Sequence, residues 1–389
     1  MRLPRLKIGI IAPPWVPVPP PSYGGTELVL DVLARGFQDA GHDVTLFSTG
    51  DSTCDVPTKW LFDRCDPDRM GASVLELRHS AAAYEALAGC DIIHDHTLAG
   101  LFVSELYPHS TVVTTNHGPF NDDLVDIYRL VAGRIPLIAI SYHQASTAPA
   151  SVPVSTVIHH GLDLTRYTFD PSGGDYLFSL GRMNHDKGID RAIEIARRAG
   201  LPLLIAAKMR EAAEQRYFAE TIEPHLGNGI EYVGEVDHIE KVKLLQGAKA
   251  LINPIRWPEP FGLVMIEALA CGTPVIATND GAAPEIVVDG KTGFLADDTD
   301  DLADVAGRLD EIDRYQCRLQ AETKFSAQRM VADHLALFRQ VLASKSTVGL
   351  RQWPQVRETE IPAGSPPMST ASPSVLTSIR PAPSGTRSA

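Results

Sequence analysis

The chain has 389 residues, of which 44% are hydrophobic and 21% charged, and carries a formal net charge of −13 at pH 7. At roughly 100–200 residues per domain, the length suits two cores better than one. The acidic balance excludes binding to polyanions by overall charge, so no nucleic-acid partner is expected.

Five scattered cysteines, Cys54, Cys65, Cys90, Cys271 and Cys317, form no C-x-x-C pair. That pattern fits reduced thiols in a cytoplasmic protein, not a disulfide framework or a zinc site. No apolar stretch approaches the roughly 18 residues of a membrane span. Peripheral contact at the inner face of a membrane stays open, because a surface patch achieves it without a span.

In chain order, the basic opening Met-Arg-Leu-Pro-Arg leads into a short apolar run that Pro13 and Pro14 break. The run reads as a strand over 7–12, not as a signal segment. Apolar positions Leu28, Leu30, Val32, Leu33 and Phe37 predict a helix over 27–40. Further strands are expected at 44–48, 91–94, 111–115 and 136–140, with a helix over 73–87. A Pro/Gly cluster at 163–175 then reads as a linker. The rhythm restarts with strands at 176–181, 203–207, 230–233, 250–254 and 274–278, and helices at 189–199, 240–247, 262–270 and 300–309. A last helix is predicted over 326–343. Beyond it, Pro, Ser and Thr dominate, and 344–389 is expected to be a disordered tail. The fold class is therefore α/β, with two doubly wound Rossmann-like domains at 1–165 and 166–325, each with a parallel sheet covered on both faces. Such sheets bind ligands at the C-terminal ends of their strands, so two of them face to face would enclose a cleft.

Four segments carry candidate chemistry. Glu259-Pro-Phe-Gly-Leu-Val-Met-Ile-Glu267 sets two carboxylates eight apart, with a helix expected to begin near Phe261 and Pro260 at its start. A helix N-terminus there would suit a phosphate. Ser179-Leu-Gly-Arg-Met-Asn-His-Asp-Lys-Gly188 places Arg182 and Lys187 after a strand, a plausible diphosphate site. Gly24 and Gly25 open the first helix, where backbone can approach an anion closely. His117 follows a strand in Asn-His-Gly. By residue type alone, surface charge and structural histidine are the commoner readings of these residues. His94-Asp95-His96 reads as packing and loop organisation, since no third ligand accompanies it.

Taken together, the E-x7-E segment and the G-R…K-G segment resemble those of glycosyltransferase family 4, retaining enzymes of the GT-B fold. The resemblance covers about residues 7–343. It includes Ile158-His-His-Gly-Leu-Asp163, Tyr232-Val-Gly234 and Gly281-Ala-Ala-Pro-Glu285. It implies a hexosyltransferase that uses a nucleotide sugar, UDP- or GDP-linked, and an unidentified glycan, lipid or small-molecule acceptor. By resemblance, Arg182, Lys187 and Gly25 would bind the donor diphosphate, and Glu267 the ribose. Glu259, Phe261, Gly262 and Leu263 would hold the sugar, and the backbone at Val233 would meet the base. Glu259 and His117 would be the catalytic candidates. The last helix would cross back to the N-terminal domain. No metal or other cofactor is expected, because no carboxylate pair is placed to hold a metal. The alternative is a non-catalytic sugar-nucleotide-binding protein of the same fold. Donor, acceptor, linkage and oligomeric state are not readable from the residues.

Overall fold

A computed structural model of the chain describes residues 4–22 and 24–344. Apart from Ser344, the tail expected over 344–389 lies outside them.

Two parallel sheets organise the described residues. The first has seven strands: β1 (Lys7–Ile11), β2 (Asp43–Ser48), β3 (Thr58–Trp60), β4 (Ile92–Asp95), β5 (Val112–Thr115), β6 (Leu137–Ala139) and β7 (Thr156–Val157). Their order is β3-β2-β1-β4-β5-β6-β7. The second has six: β8 (Tyr176–Arg182), β9 (Leu203–Lys208), β10 (Ile230–Gly234), β11 (Ala248–Asn253), β12 (Val275–Thr278) and β13 (Gly293–Ala296), in the order β10-β9-β8-β11-β12-β13. In both sheets the strand order reverses beside the first strand, between β1 and β4 and between β8 and β11. Loops diverge at such a switch point and leave a crevice at the carboxyl ends. The expected helices over 73–87 and 189–199 form at Ser73–Leu87 and Ile189–Ala199.

The central strands are apolar on both faces because helices cover both. Ile8, Ile10, Ile11, Ile92, Ile93 and Val113 are fully buried in the first sheet, and Leu177, Phe178, Leu251 and Ile276 in the second. The last helix, Ala327–Ser344, carries Met330, Val331, Leu335, Leu337 and Phe338 on one stripe. That stripe belongs to the core of the first sheet, together with Leu33 and Phe37 of helix Gly25–Asp39. The Phe37 and Phe338 rings lie 5.4 Å apart. Where the two helices touch, a methyl group added at Gly36 would sit 2.4 Å from Val331 Cγ2. Gly36→Ala should therefore lower stability by about 1–3 kcal/mol despite its better helix propensity. Adding Val331→Ala should restore most of the loss in urea unfolding; no recovery would place the strain elsewhere.

The chain leaves the first domain through residues 158–163 and returns at 325–327. Here Leu162 N–H donates to Phe325 O at 2.8 Å, and Ala327 N–H to Leu162 O at 2.8 Å. A side chain at Gly161 would meet Ser326 O at 2.5 Å, so the two crossings touch backbone to backbone.

Candidate active site

The sequence motifs converge where the C-terminal ends of the two sheets face each other. From the first domain come the Gly24–Gly25 turn after β1, His96 after β4 and His117 after β5. From the second come Arg182 at the end of β8, Lys187 beyond it, and the 259–263 segment after β11. A methyl group at Gly25 would lie 3.1 Å from Leu263 Cδ1. Arg210 also reaches across, donating to Ser22 Oγ at 2.9 Å.

The helix of the E-x7-E segment begins later than its sequence suggests. It spans Leu263–Ala270, with Gly262 as its N-cap at φ 102°. That left-handed turn favours glycine, and a Cβ there would also strike Met265 Cε at 2.5 Å. Pro260 therefore lies in the loop, not at the first helical position. The Phe261 ring is buried among His160, at 5.0 Å, and Phe325, at 6.1 Å. Only its backbone remains for a ligand.

Each carboxylate of the segment is held by a lysine. Glu259 pairs with Lys187, whose side chain is only 10% exposed. The other oxygen, Glu259 Oε2, is buried without a partner. Gly281 lies so close behind that a Cβ would be 2.6 Å from Glu259 N and O, and Ala282 N–H donates to Glu259 O at 3.0 Å. Glu267 is 3% exposed and accepts from Lys241 and from Tyr167 Oη at 2.7 Å. Burial and the Glu267 charge push the Tyr167 phenol well above its usual range. Arg182 is half-buried and has no side-chain partner among the described residues, leaving a cation available at the carboxyl end of β8. Val233 lies near the end of edge strand β10, followed by Glu235, which Arg210 binds at 2.8 Å.

His117 is half-buried and belongs to a column of imidazoles. Ring centroids run from His334 to His94 at 5.1 Å, His94 to His96 at 4.0 Å, His96 to His117 at 5.1 Å and His117 to His160 at 5.4 Å. Burial drives every one toward the neutral form, with His117 and His334 lowered to about 4. His94 bonds Thr115 Oγ1 at 2.8 Å, and Asp95 accepts from Thr97 and from Tyr84 Oη at 2.8 Å. The His-Asp-His run thus organises the loop after β4.

Several partners here carry no signal in the sequence. Lys241 and Tyr167 are 26 and 100 residues from Glu267. Glu285, in the Gly-Ala-Ala-Pro-Glu loop, spans the two domains: it accepts from Tyr142 N at 2.9 Å, His143 N at 2.7 Å and His159 Nε2 at 2.6 Å. Burial alone would raise its pKa, but these bonds outweigh that and hold it below the usual carboxylate range. Glu27, in the first turn of its helix, is raised by burial to about 7.

Two facing parallel sheets of this kind, with their switch-point loops meeting across the gap, define the GT-B architecture. HepE of Anabaena, solved in complex with UDP and glucose, shares it at a TM-score of 0.70 and 18% identity, over 86% of this chain and all of that one. The profile described as Glycosyltransferase Family 4 matches residues 23–166, and that described as Glycosyl transferases group 1 matches residues 168–324. The chain belongs to glycosyltransferase family 4.

Among curated relatives, a glycogen synthase of Mycobacterium tuberculosis is 31% identical over 188 residues, 46% of this chain and 44% of that protein. A phosphatidyl-myo-inositol mannosyltransferase of Mycolicibacterium smegmatis is 26% identical over 332 residues, 77% of this chain and 83% of that protein. The chain therefore spans less than half of the glycogen synthase it matches. No helix among the described residues is long and apolar enough to cross a membrane.

Proposed function

We propose that this protein is a retaining, metal-independent hexosyltransferase that takes its sugar from a UDP- or GDP-linked donor. The acceptor is a glycan, a lipid or a small molecule. The observation that carries this reading is the pair of lysine-held carboxylates, Glu259–Lys187 and Glu267–Lys241, on one loop and helix beside the unpartnered Arg182. In support, HepE shares the fold and is solved with UDP and glucose, and the mannosyltransferase relative is named for an inositol lipid acceptor. The five cysteines are free thiols, which suits a reducing cytoplasm.

Glycosyl transfer leaves negative charge on the departing nucleotide and positive charge on the sugar. Arg182, Lys187 and the amides at Gly25 and at the start of the Leu263–Ala270 helix would take the diphosphate. Preorganised donors of this kind are each worth about 2.7–4 kcal/mol in a barrier. Glu267 would bind the ribose hydroxyls, and the backbone beside Val233 the base. Glu259 and the amides of Phe261, Gly262 and Leu263 would hold the sugar, with the free Glu259 oxygen beside it. His117 would face the sugar from the other domain. Retention follows if the acceptor attacks from the face the nucleotide leaves, passing its proton to the leaving phosphate.

The test is a thermal-shift and donor-hydrolysis screen against UDP-, GDP-, TDP- and ADP-sugars with EDTA present. One donor should raise the melting temperature and release nucleotide slowly. Binding without release, with any acceptor, would instead make this a non-catalytic sugar-nucleotide-binding protein. Activity lost in EDTA and restored by a divalent ion would overturn metal independence.

A further inference from the structure

The contact between His96 and His117 decides where His117 carries its proton. His96 Nδ1 and His117 Nε2 are 2.8 Å apart, so one must donate and the other accept. Both rings are neutral at pH 7, because among the described residues no carboxylate bonds to any imidazole of the column and burial disfavours charge. Each ring then has one N–H to place.

The decision falls on the far nitrogen of His96. Its Nε2 is buried and has no hydrogen-bond partner. If His117 donated from Nε2, His96 would accept at Nδ1 and its own N–H would sit on that orphaned Nε2. Orphaned buried N–H groups are rarer than under-satisfied acceptors, as buried backbone groups show. If His96 donates from Nδ1, its Nε2 holds only a lone pair and no N–H is stranded. His117 then accepts at Nε2 and must carry its proton on Nδ1, the nitrogen that His96 does not engage.

We propose that His96 is a positioning residue that donates from Nδ1 to His117 Nε2 and thereby fixes His117 as its Nδ1–H tautomer. The partner of one ring nitrogen sets the state of the other. His117 accordingly offers the cleft a hydrogen-bond donor, not a base or a nucleophile. The mechanistic consequence rests on the reading of His117 as an active-site residue; the tautomer does not.

Long-range proton–nitrogen spectra of the full chain with nitrogen-15-labelled histidine, taken near about pH 7.5, read this directly. His117 is assigned by the signal lost in His117→Gln. Its Nδ1 should be protonated and its Nε2 bare, and His96 should match. His96→Asn, whose amide can donate from the same place, should keep that pattern. His96→Leu should release His117 toward the Nε2–H form that neutral histidine ordinarily prefers. With UDP-glucose as probe, His96→Leu should lower the hydrolysis rate by roughly 10- to 100-fold, the loss seen when a partner that orients a metal-bound histidine is removed. UDP binding should stay unchanged, and His96→Asn should recover most of the rate. A proton on His117 Nε2 in the wild type, or a tautomer indifferent to His96→Leu, would overturn the inference. An Nδ1–H tautomer in a protein that turns over no sugar nucleotide would leave it standing and overturn the function instead.

Discussion

Lys187→Ala will lower sugar transfer by roughly 100- to 1,000-fold, the usual loss for one donor aimed at developing negative charge. Its ammonium sits at the carboxyl end of the second sheet, tied to Glu259 and nearly closed off from water. On the proposed function the substitution removes a donor to the leaving phosphate, and it leaves the Glu259 carboxylate with neither oxygen paired among the described residues. A partly buried carboxylate stripped of its partner costs stability, so the melting temperature should fall although the chain still folds. Arg182→Ala separates the two effects. Arg182 has no side-chain partner among the described residues, so its loss should slow transfer to a similar degree and leave melting unchanged. Transfer is measured with whichever donor the screen identifies. A folded Arg182→Ala/Lys187→Ala protein with wild-type turnover would remove both residues from the site.

Acid should unfold the protein well before its exposed carboxylates would require. His94, His96, His117, His160 and His334 are held neutral by burial, with pKa values below the ordinary 6.5 and about 4 for His117 and His334. A lowered histidine pKa means that the unfolded chain binds more protons than the folded one below pH 6.5. The histidines' contribution is therefore full above that pH and falls as pH drops toward 4, while Glu27 and Asp95, raised to about 7 and about 6 by burial, take up protons in the folded state and offset part of the fall. The slope is up to about 1.4 kcal/mol per pH unit for each histidine. Glu285 adds a later loss in the same direction. Its pKa is lowered, so its contribution is present above its unfolded value of 4.5 and disappears as pH falls through the folded one. Urea unfolding at a series of pH values between 7.5 and 5 should show stability falling with uptake of several protons, and His334→Leu should reduce that uptake by about one. A flat profile across this range would mean that the column is already open to water.

Periodicity revealed the central strands and the long helices because burial on both faces, or on one stripe, leaves a compositional trace. The short edge strands β3 and β7, three and two residues long, leave none. Helix Asp122–Val131 was equally hidden, its acidic first turn resembling a loop. Motif spacing singled out Glu259, Glu267, Arg182 and Lys187, which lie on the end of β8, the loops beyond β8 and β11 and the helix Leu263–Ala270. It also placed the helix start two residues early, because Gly262 takes a left-handed turn that no apolar pattern marks. Spacing says nothing about partners set by tertiary packing. His159 and His160 are adjacent in sequence, yet one bonds Glu285 and the other stacks on His117 and meets Phe261 edge to face.

The two lobes are joined by a pair of covalent crossings, and these are knotted to each other at Leu162. Two independent tethers would let one lobe drift and tilt freely over the other. Joined backbone to backbone there, the crossings would confine any relative movement of the lobes chiefly to a turn about Leu162 and Ser326. A hinge with so few degrees of freedom would return the Gly25 turn to the same place over Leu263 each time the gap shut.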